Sequence, residues 1–260
     1  METQLAPNVT FALVLIVVAF ASAVKGALGF GFPLIAVPLA ANLIGARTAV
    51  VLIAIPVVFG NFLILTRGGG NTEELRRFGG LLVGVVAGTV IGAQLLGRLD
   101  LGVVSLIIGI AAVLLVVLAW GNLMPSISAQ AQRVAGPTVG VTAGVIGGIT
   151  GIYAPLIAAY FHALRVDKRA FVYWLTAAFF LGGAVQVGSY WRLGLYSWKL
   201  VTYAVATFVP VVLGTWLGFW IQDRLPVTLF RRLVLLLVLA SGLNLVRPSL
   251  LLLWVRLAGR

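Results

Sequence analysis

The sequence predicts an all-α integral membrane protein, a polytopic helical bundle of two inverted repeats with short or broken helices near the bilayer midplane. Three observations support this prediction. Of the 260 residues, 62% are hydrophobic and 9% are charged, whereas soluble domains average about 45–50% and about 25%. The hydrophobic residues form runs of about 20, enough for a helix to cross the hydrocarbon layer. Two of the runs contain Gly and Pro at corresponding positions of a duplicated chain.

The apolar runs set the number of helices. Seven are continuous and two are interrupted by Gly and Pro, which predicts about ten helical segments. Such runs differ from the alternating segments of a barrel, and lipid otherwise admits only helices, whose backbone hydrogen bonds are satisfied internally. The continuous runs are 11–24, 48–66, 78–97, 101–120, 170–190, 200–221 and 233–246, and the interrupted runs are 33–44 and 137–164.

The charges are strongly unbalanced, with 18 Lys and Arg against 6 Asp and Glu and a net charge of +12. The basic residues lie mainly in short connections, such as Arg76, Arg77, Lys168 and Arg169, where they meet lipid headgroups and set orientation. An N-terminus outside the cell would place them in the cytoplasm. No nucleic-acid partner is expected, because no basic patch carries an aromatic stacking surface. With no Cys and one His, no catalytic residue, metal site or cofactor is expected.

The chain contains two copies of one pattern. At an offset of 122 residues, "GALGFGFPLIAVPL" from Gly26 aligns with "GITGIYAPLIAAYF" from Gly148, and at 126 residues "GTVIGAQLLGRL" aligns with "GTWLGFWIQDRL". These matches predict a first repeat over 9–122, a connecting loop over 123–134 and a second repeat over 135–246. Five crossings per copy would place the copies in opposite orientations. Residues 1–23 supply the first helix of one copy, so a cleaved signal peptide is not expected.

The two interrupted runs are the best candidates for a binding site, because paired Gly/Pro breaks in inverted repeats mark the midplane site of many transporters. Pro suits the first turn of a restarting helix, which predicts helix starts near Phe32 and Ala154. Free N–H groups and the positive dipole ends of two such helices would attract an anion. The candidate substrate-binding residues are Lys25, Gly26, Gly29, Phe30, Gly31, Phe32 and Pro33 in the first copy, and Gly148, Thr150, Gly151, Tyr153, Ala154 and Pro155 in the second.

Lys25 has two interpretations, and the sequence leaves both open. A charge inside a membrane span is a functional candidate, but a lysine at a helix end can also extend its amine to the headgroups. The polar residues Asn61 and Gln186 are expected to form hydrogen bonds between helices. The glycine stripes 84, 88 and 92, and 214 and 218, are expected to pack helices closely together.

These motifs resemble the TauE/SafE sulfite exporter family. The resemblance rests on "GALGFGFPLIAVPL", its looser second copy and the GT-x-x-G helix with its following Arg-Leu, and it covers nearly the whole chain. It implies a multi-pass secondary transporter of the cytoplasmic membrane that exports small sulfur-containing or organic anions, such as sulfite or sulfonates. A proton as coupling ion, contact with lipid and assembly as a homodimer are the partner expectations.

One departure from the family pattern concerns the second copy. Ile152, Tyr153 and Ala154 stand where the family commonly has consecutive glycines, so the second half-site is expected to differ in shape. A channel-like facilitator of anions or small solutes is the main alternative function. A membrane enzyme or assembly factor without transport is the third, and the shortage of acid–base residues counts against it.

Overall fold

The structure is a computed structural model that describes residues 7–28, 31–66, 68, 70–121, 129–222, 236 and 238–248. All regular secondary structure within these residues is helical. In the part of the chain that the structure describes, five helices are long and apolar enough to cross a membrane, and shorter apolar helices accompany them. The predicted all-α, polytopic class is therefore confirmed.

The helices follow the predicted runs closely. Their bounds are α1 Pro7–Leu28, α2 Phe32–Ile44, α3 Ala46–Leu65, α4 Thr72–Arg98, α5 Leu101–Gly121, α6 Ala129–Thr150, α7 Ala154–Ala163, α8 Lys168–Arg192, α9 Trp198–Ala206 and α10 Phe208–Gln222. Residues 238–248 are also helical, within the run predicted over 233–246.

The beginning of α6 and an interruption between α9 and α10 are two differences from the prediction that the sequence explains. Helix α6 begins at Ala129, so the end of the predicted connecting loop is helical. Its sequence "AQAQR" is polar but consists of good helix formers, and polarity alone does not prevent a helix. The run 200–221 is interrupted at Thr207, between α9 and α10. Pro210 has no N–H to donate to the carbonyl of Ala206, which explains the interruption.

Three helices that begin in loops are capped by polar side chains. Asn71 Oδ1 accepts a hydrogen bond from the Glu74 N–H at the start of α4. Asp167 Oδ1 accepts from the N–H groups of Arg169 and Ala170 at the start of α8, and Ser197 Oγ does the same at the start of α9. Each cap satisfies N–H groups that have no partner within their own helix.

Glycines bring two pairs of helices into close contact. Helix α4 packs on α6, where an added methyl on Gly84 would lie 2.5 Å from the Pro137 carbonyl oxygen. A methyl on Gly144 would lie 2.5 Å from the Val85 carbonyl oxygen. Helix α10 packs on α1, where a methyl on Gly26 would lie 3.0 Å from the Gly218 Cα. The predicted packing role of the glycine stripes is confirmed.

The order of helices repeats along the chain. The starts of α1, α2 and α3, shifted by 122 residues, coincide with the starts of α6, α7 and α8, and the start of α4, shifted by 126, coincides with that of α9. The contacts between helices follow the same correspondence. Helix α4 corresponds to α9 and α10 together; α4 packs on α6, and α10 packs on α1. Helix α3 packs on its own counterpart, α8. The division into two repeats and the opposite orientation of the copies stay predictions.

Candidate functional site

Both predicted helix breaks are present. The first separates α1, which ends at Leu28, from α2, which begins at Phe32. The second separates α6, which ends at Thr150, from α7, which begins at Ala154. The two predicted helix starts are therefore confirmed to the residue. Of the candidate site residues, Gly29, Phe30 and the side chain of Pro155 lie outside the described part of the chain.

Glycine is required at both breaks by the backbone. Gly31 has φ 106° and ψ 0°, and Gly151 has φ 75°, a left-handed conformation that residues with a Cβ rarely adopt. Gly31 is the N-cap of α2, and no side chain there forms a capping hydrogen bond. Phe32 and Leu34 in the following turn are buried. Helix α2 thus starts inside the protein without the polar cap that α4, α8 and α9 possess.

The two breaks meet. Leu34 in the first turn of α2 packs against Ile152 and Ala154 of the second break, and all three side chains are buried. An added methyl on Gly151 would lie 3.6 Å from Val37 Cγ2, one turn further along α2. The starts of α2 and α7 therefore lie side by side, although they are 122 residues apart in the sequence.

Thr150 holds the second break in shape. Its hydroxyl donates to the Ile146 carbonyl at 2.7 Å and accepts from the Ile152 N–H at 3.0 Å. The Gly151 N–H donates to the Gly147 carbonyl at 2.6 Å. The Thr150 side chain is fully buried, so in this conformation its hydroxyl serves the backbone of the turn.

Tyr153 fills the space beside the second break. A methyl on Gly182 would lie 2.9 Å from the Tyr153 ring, and a side chain on Gly147 would collide with the same ring. The Thr89 hydroxyl donates to Tyr153 Oη at 3.4 Å. Gly147 corresponds to Lys25 in the first copy, and the Tyr153 ring explains why this position has no side chain.

Two residues of α8 support the end of α6. Gln186 Nε2 donates to the Gly147 carbonyl at 2.9 Å and to Tyr190 Oη at 2.7 Å. Tyr190 Oη donates to the Gly148 carbonyl at 2.6 Å. The Gly148 carbonyl lies in the last turn of α6, where carbonyls lack N–H partners within the helix, whereas the Gly147 carbonyl also accepts from the Gly151 N–H. The hydrogen bond of Gln186 between helices was predicted, but that of Tyr190, which lies one turn further on the same face of α8, was not.

Lys25 lies in the last turn of α1, where a positive charge is favourable for the helix dipole. Its ammonium donates to Asn61 Oδ1 on α3 at 2.9 Å, and Asn61 is buried. A methyl on Gly60 would lie 3.4 Å from Lys25 Nζ. The amine is thus directed at α3, and its partner is a neutral amide that leaves the positive charge in place. A role of Lys25 in anion binding stays a prediction.

Packing accounts for two of the candidate glycines. Gly26 faces α10, as described above, and a methyl on Gly148 would lie 2.6 Å from the Thr89 carbonyl oxygen of α4. Both glycines therefore allow a neighbouring helix to approach closely, and their role in substrate binding stays a prediction. Their alignment in the two copies follows from the equivalent α1–α10 and α6–α4 contacts.

The connection between α8 and α9 links the second break to α3. Tyr196 Oη donates to the Val51 carbonyl of α3 at 3.0 Å, and its ring centroid lies 6.5 Å from that of Tyr190. Burial raises the pKa of the Tyr196 phenol above its usual range. This hydroxyl therefore remains a donor at neutral pH, and α3 is held by side-chain hydrogen bonds near both of its ends.

Several membrane-length helices surrounding two broken helices define a multi-pass helical membrane protein of the transporter class. Among the residues that the structure describes, no group of three or more His, Cys, Asp or Glu could hold a metal ion. The chain belongs to the sulfite exporter TauE/SafE family, whose family model matches residues 14–245. No curated protein and no solved structure matches it. The family assignment confirms the resemblance, and it makes this protein a membrane transporter of the anion-exporter type.

Proposed function

We propose that the protein is a secondary transporter that exports small sulfur-containing or organic anions, such as sulfite or sulfonates, across the cell membrane. The anion binds where the starts of α2 and α7 meet. The observation that carries this proposal is the contact of Leu34 with Ile152 and Ala154, which joins two buried helix starts from corresponding positions of the two halves. Positive dipole ends and N–H groups without helical partners favour a negative charge at such a junction.

The packing at the junction favours a carrier over a channel. Leu34, Ile152 and Ala154 are each at most 6% exposed, so apolar side chains close the space between the helix starts. An anion can pass only when these side chains separate. A transporter that changes conformation in each cycle meets this requirement, and a permanently open pore does not.

Transport should be measured with the purified protein in proteoliposomes, using sulfite, thiosulfate, short sulfonates and carboxylates as a panel. A carrier gives flux that saturates with anion concentration and responds to an imposed proton gradient, the proton being the proposed coupling ion. Protein-free vesicles provide the leak control. Flux that neither saturates nor responds to the gradient would favour the channel-like facilitator, and absence of flux for every anion would contradict the proposal.

A pair of glycine substitutions tests the location of the site. Gly151 and Gly194 have similar φ angles, 75° and 68°, so replacement by Ala strains the backbone to a similar degree at both positions. Gly194 lies in the connection after α8, where an added methyl meets no atom within 4 Å. Gly151→Ala should abolish transport and Gly194→Ala should not. Equal activity of the two variants would remove the second break from the pathway.

A further inference from the structure

A pocket with apolar walls opens on the outer face of α5 and reaches the second break. Its volume is about 180 Å³, and it is bounded by α5, α6, the break and the first turn of α7. At its inner end lie Ala143, Ile152 and Tyr153, which are at most 3% exposed. At its mouth lie Ile110 and Leu114 of α5, which are 51% and 47% exposed. The pocket therefore connects the surface of the helix bundle with the break.

The mouth of the pocket lies on an apolar stripe of α5. Val103, Ile110, Leu114 and Val117 follow one another at intervals of seven, four and three residues, so they share one face of the helix. Each of these side chains is between 41% and 52% exposed, and α5 contains no charged residue. In a multi-pass membrane protein, an exposed helix face of this composition contacts the hydrocarbon of the bilayer. The pocket is therefore open to lipid tails.

The size and chemistry of the pocket suit a hydrocarbon chain. An engineered apolar cavity of about 150 Å³ stays dry and binds benzene, so this pocket holds about six carbons of a chain. Its walls are almost entirely hydrocarbon, and water or a lipid headgroup would lose hydrogen bonds there. A tail gains little from leaving the bilayer, which is equally apolar. It does gain contacts with the pocket walls, which an empty cavity leaves without partner atoms.

We infer that the acyl chain of a bilayer lipid occupies this pocket and rests against Ile152 and Tyr153 of the second break. The inference depends on the pocket and on the membrane setting of α5, and it is independent of which anion is transported. The lipid site and the helix starts share one buried side chain, because Ile152 lines the pocket and also packs against Leu34 and Ala154. A movement that separates these three side chains therefore also changes the shape of the lipid site.

Photochemical labelling by lipids tests the inference. The full chain is reconstituted in dioleoylphosphatidylcholine vesicles that contain a trace of phosphatidylcholine with a diazirine near the methyl end of one acyl chain. After irradiation, the labelled residues are mapped by mass spectrometry. We expect labelling of Ile110 at the mouth and also of Ile152 and Tyr153, which a tail reaches only from within the pocket. A phosphatidylcholine with the diazirine in its headgroup should not label Ile152 or Tyr153.

Two variants close the pocket in different ways. Ala111→Phe places a phenyl ring among the lining side chains, and because this ring takes the room of about six carbons, labelling of Ile152 and Tyr153 should fall by at least about tenfold. Leu114→Trp covers the mouth and should have the same effect. Ala87→Phe adds a phenyl ring at an exposed position of α4 and should be labelled as the wild type is. Leu114 is exposed, so Leu114→Trp decides the question if Ala111→Phe does not fold.

Several results would overturn the inference. Labelling of Ile110 without labelling of Ile152 and Tyr153 would show that tails touch α5 but do not enter the pocket. Equal labelling of the break in the wild type, Ala111→Phe and Leu114→Trp would show that the probe arrives by another route. Absence of label on Ile110 would show that this face of α5 is covered by something other than lipid, such as a second copy of the chain. None of these results bears on the proposed function, which the flux measurements test.

Discussion

Replacing Lys25 with Gln is expected to weaken anion binding by about 5- to 150-fold. At an effective dielectric constant of about 20, two unit charges about 4 Å apart interact by roughly 4 kcal/mol. Removal of water from the anion offsets much of this energy, so about 1–3 kcal/mol should remain, which corresponds to that range of affinity. Lys25→Arg should be tolerated in part, because the guanidinium is larger and planar.

The contact between Lys25 and Asn61 supplies a second, independent perturbation. The ammonium donates to Asn61 Oδ1 at 2.9 Å, so Asn61→Asp preserves the shape of the side chain and adds a negative charge beside the amine. We expect Asn61→Asp to reduce anion affinity as Lys25→Gln does, because the local positive charge is then neutralised. A separate effect on stability is expected for Lys25→Met. This substitution leaves the buried Asn61 Oδ1 without its donor, so the free energy of unfolding should fall by about 1–3 kcal/mol.

The assay is equilibrium binding of radiolabelled sulfite to the purified protein, with folding checked by size-exclusion profile. Unchanged affinity in both Lys25→Gln and Asn61→Asp, with normal elution, would refute the reasoning. The amine would then only join α1 to α3, and the anion would be bound by the helix starts alone. A loss of affinity in Lys25→Gln without a loss in Asn61→Asp would show that the length of the side chain matters rather than its charge.

Three further predictions concern the framework. Tyr190→Phe leaves the Gly148 carbonyl without its side-chain donor, so the free energy of unfolding should fall by about 1–3 kcal/mol. Thermal unfolding followed by Trp fluorescence measures this loss. An unchanged unfolding midpoint would show that the Tyr190 hydrogen bond does not stabilise the end of α6. Gly144→Ala places a methyl 2.5 Å from the Val85 carbonyl oxygen and should destabilise by about 1–3 kcal/mol, whereas Gly188→Ala, with no atom within 4 Å, should not. Cysteines at positions 72 and 196, in a chain without native cysteine, should be labelled from opposite sides of the membrane, and labelling from one side would exclude inverted repeats.

The helix starts were predictable because their cause is local. Proline in the first turn and glycine just before it fix where a helix can begin, and the structure begins α2 at Phe32 with Gly31 in a left-handed conformation. The same reasoning did not predict the helix contacts of Gly26 and Gly148, whose role in binding stays a prediction. A glycine permits close approach of either a neighbouring helix or a ligand, and the sequence alone does not show which of the two lies beside it.

Other features could not be predicted because they depend on contacts between distant helices. The Gln186 and Tyr190 hydrogen bonds to α6 span about 40 residues, with separations of 39 and 42. An apolar pocket beside the second break is lined by α5, α6 and α7, so its formation needs side chains from three helices at once. The interruption at Thr207 depends on a backbone hydrogen bond that Pro210 cannot donate. It was not predicted, because the residues around Pro210 form a continuous apolar run.

Corresponding positions beside the two breaks carry side chains of different size. In the first half, position 25 carries a long lysine and position 31 is Gly; in the second, the corresponding positions are Gly147 and Tyr153. The Tyr153 ring occupies the space next to Gly147, whereas the Lys25 side chain reaches Asn61 on α3. Each half thus has room for one large side chain beside its break.

This exchange makes the two half-sites chemically unequal. The first half has a lysine beside its break, directed at Asn61, and the second has the Tyr153 ring, which lines an apolar pocket. Placing a lysine at position 147 would require removal of the Tyr153 ring, so the charge cannot simply be duplicated.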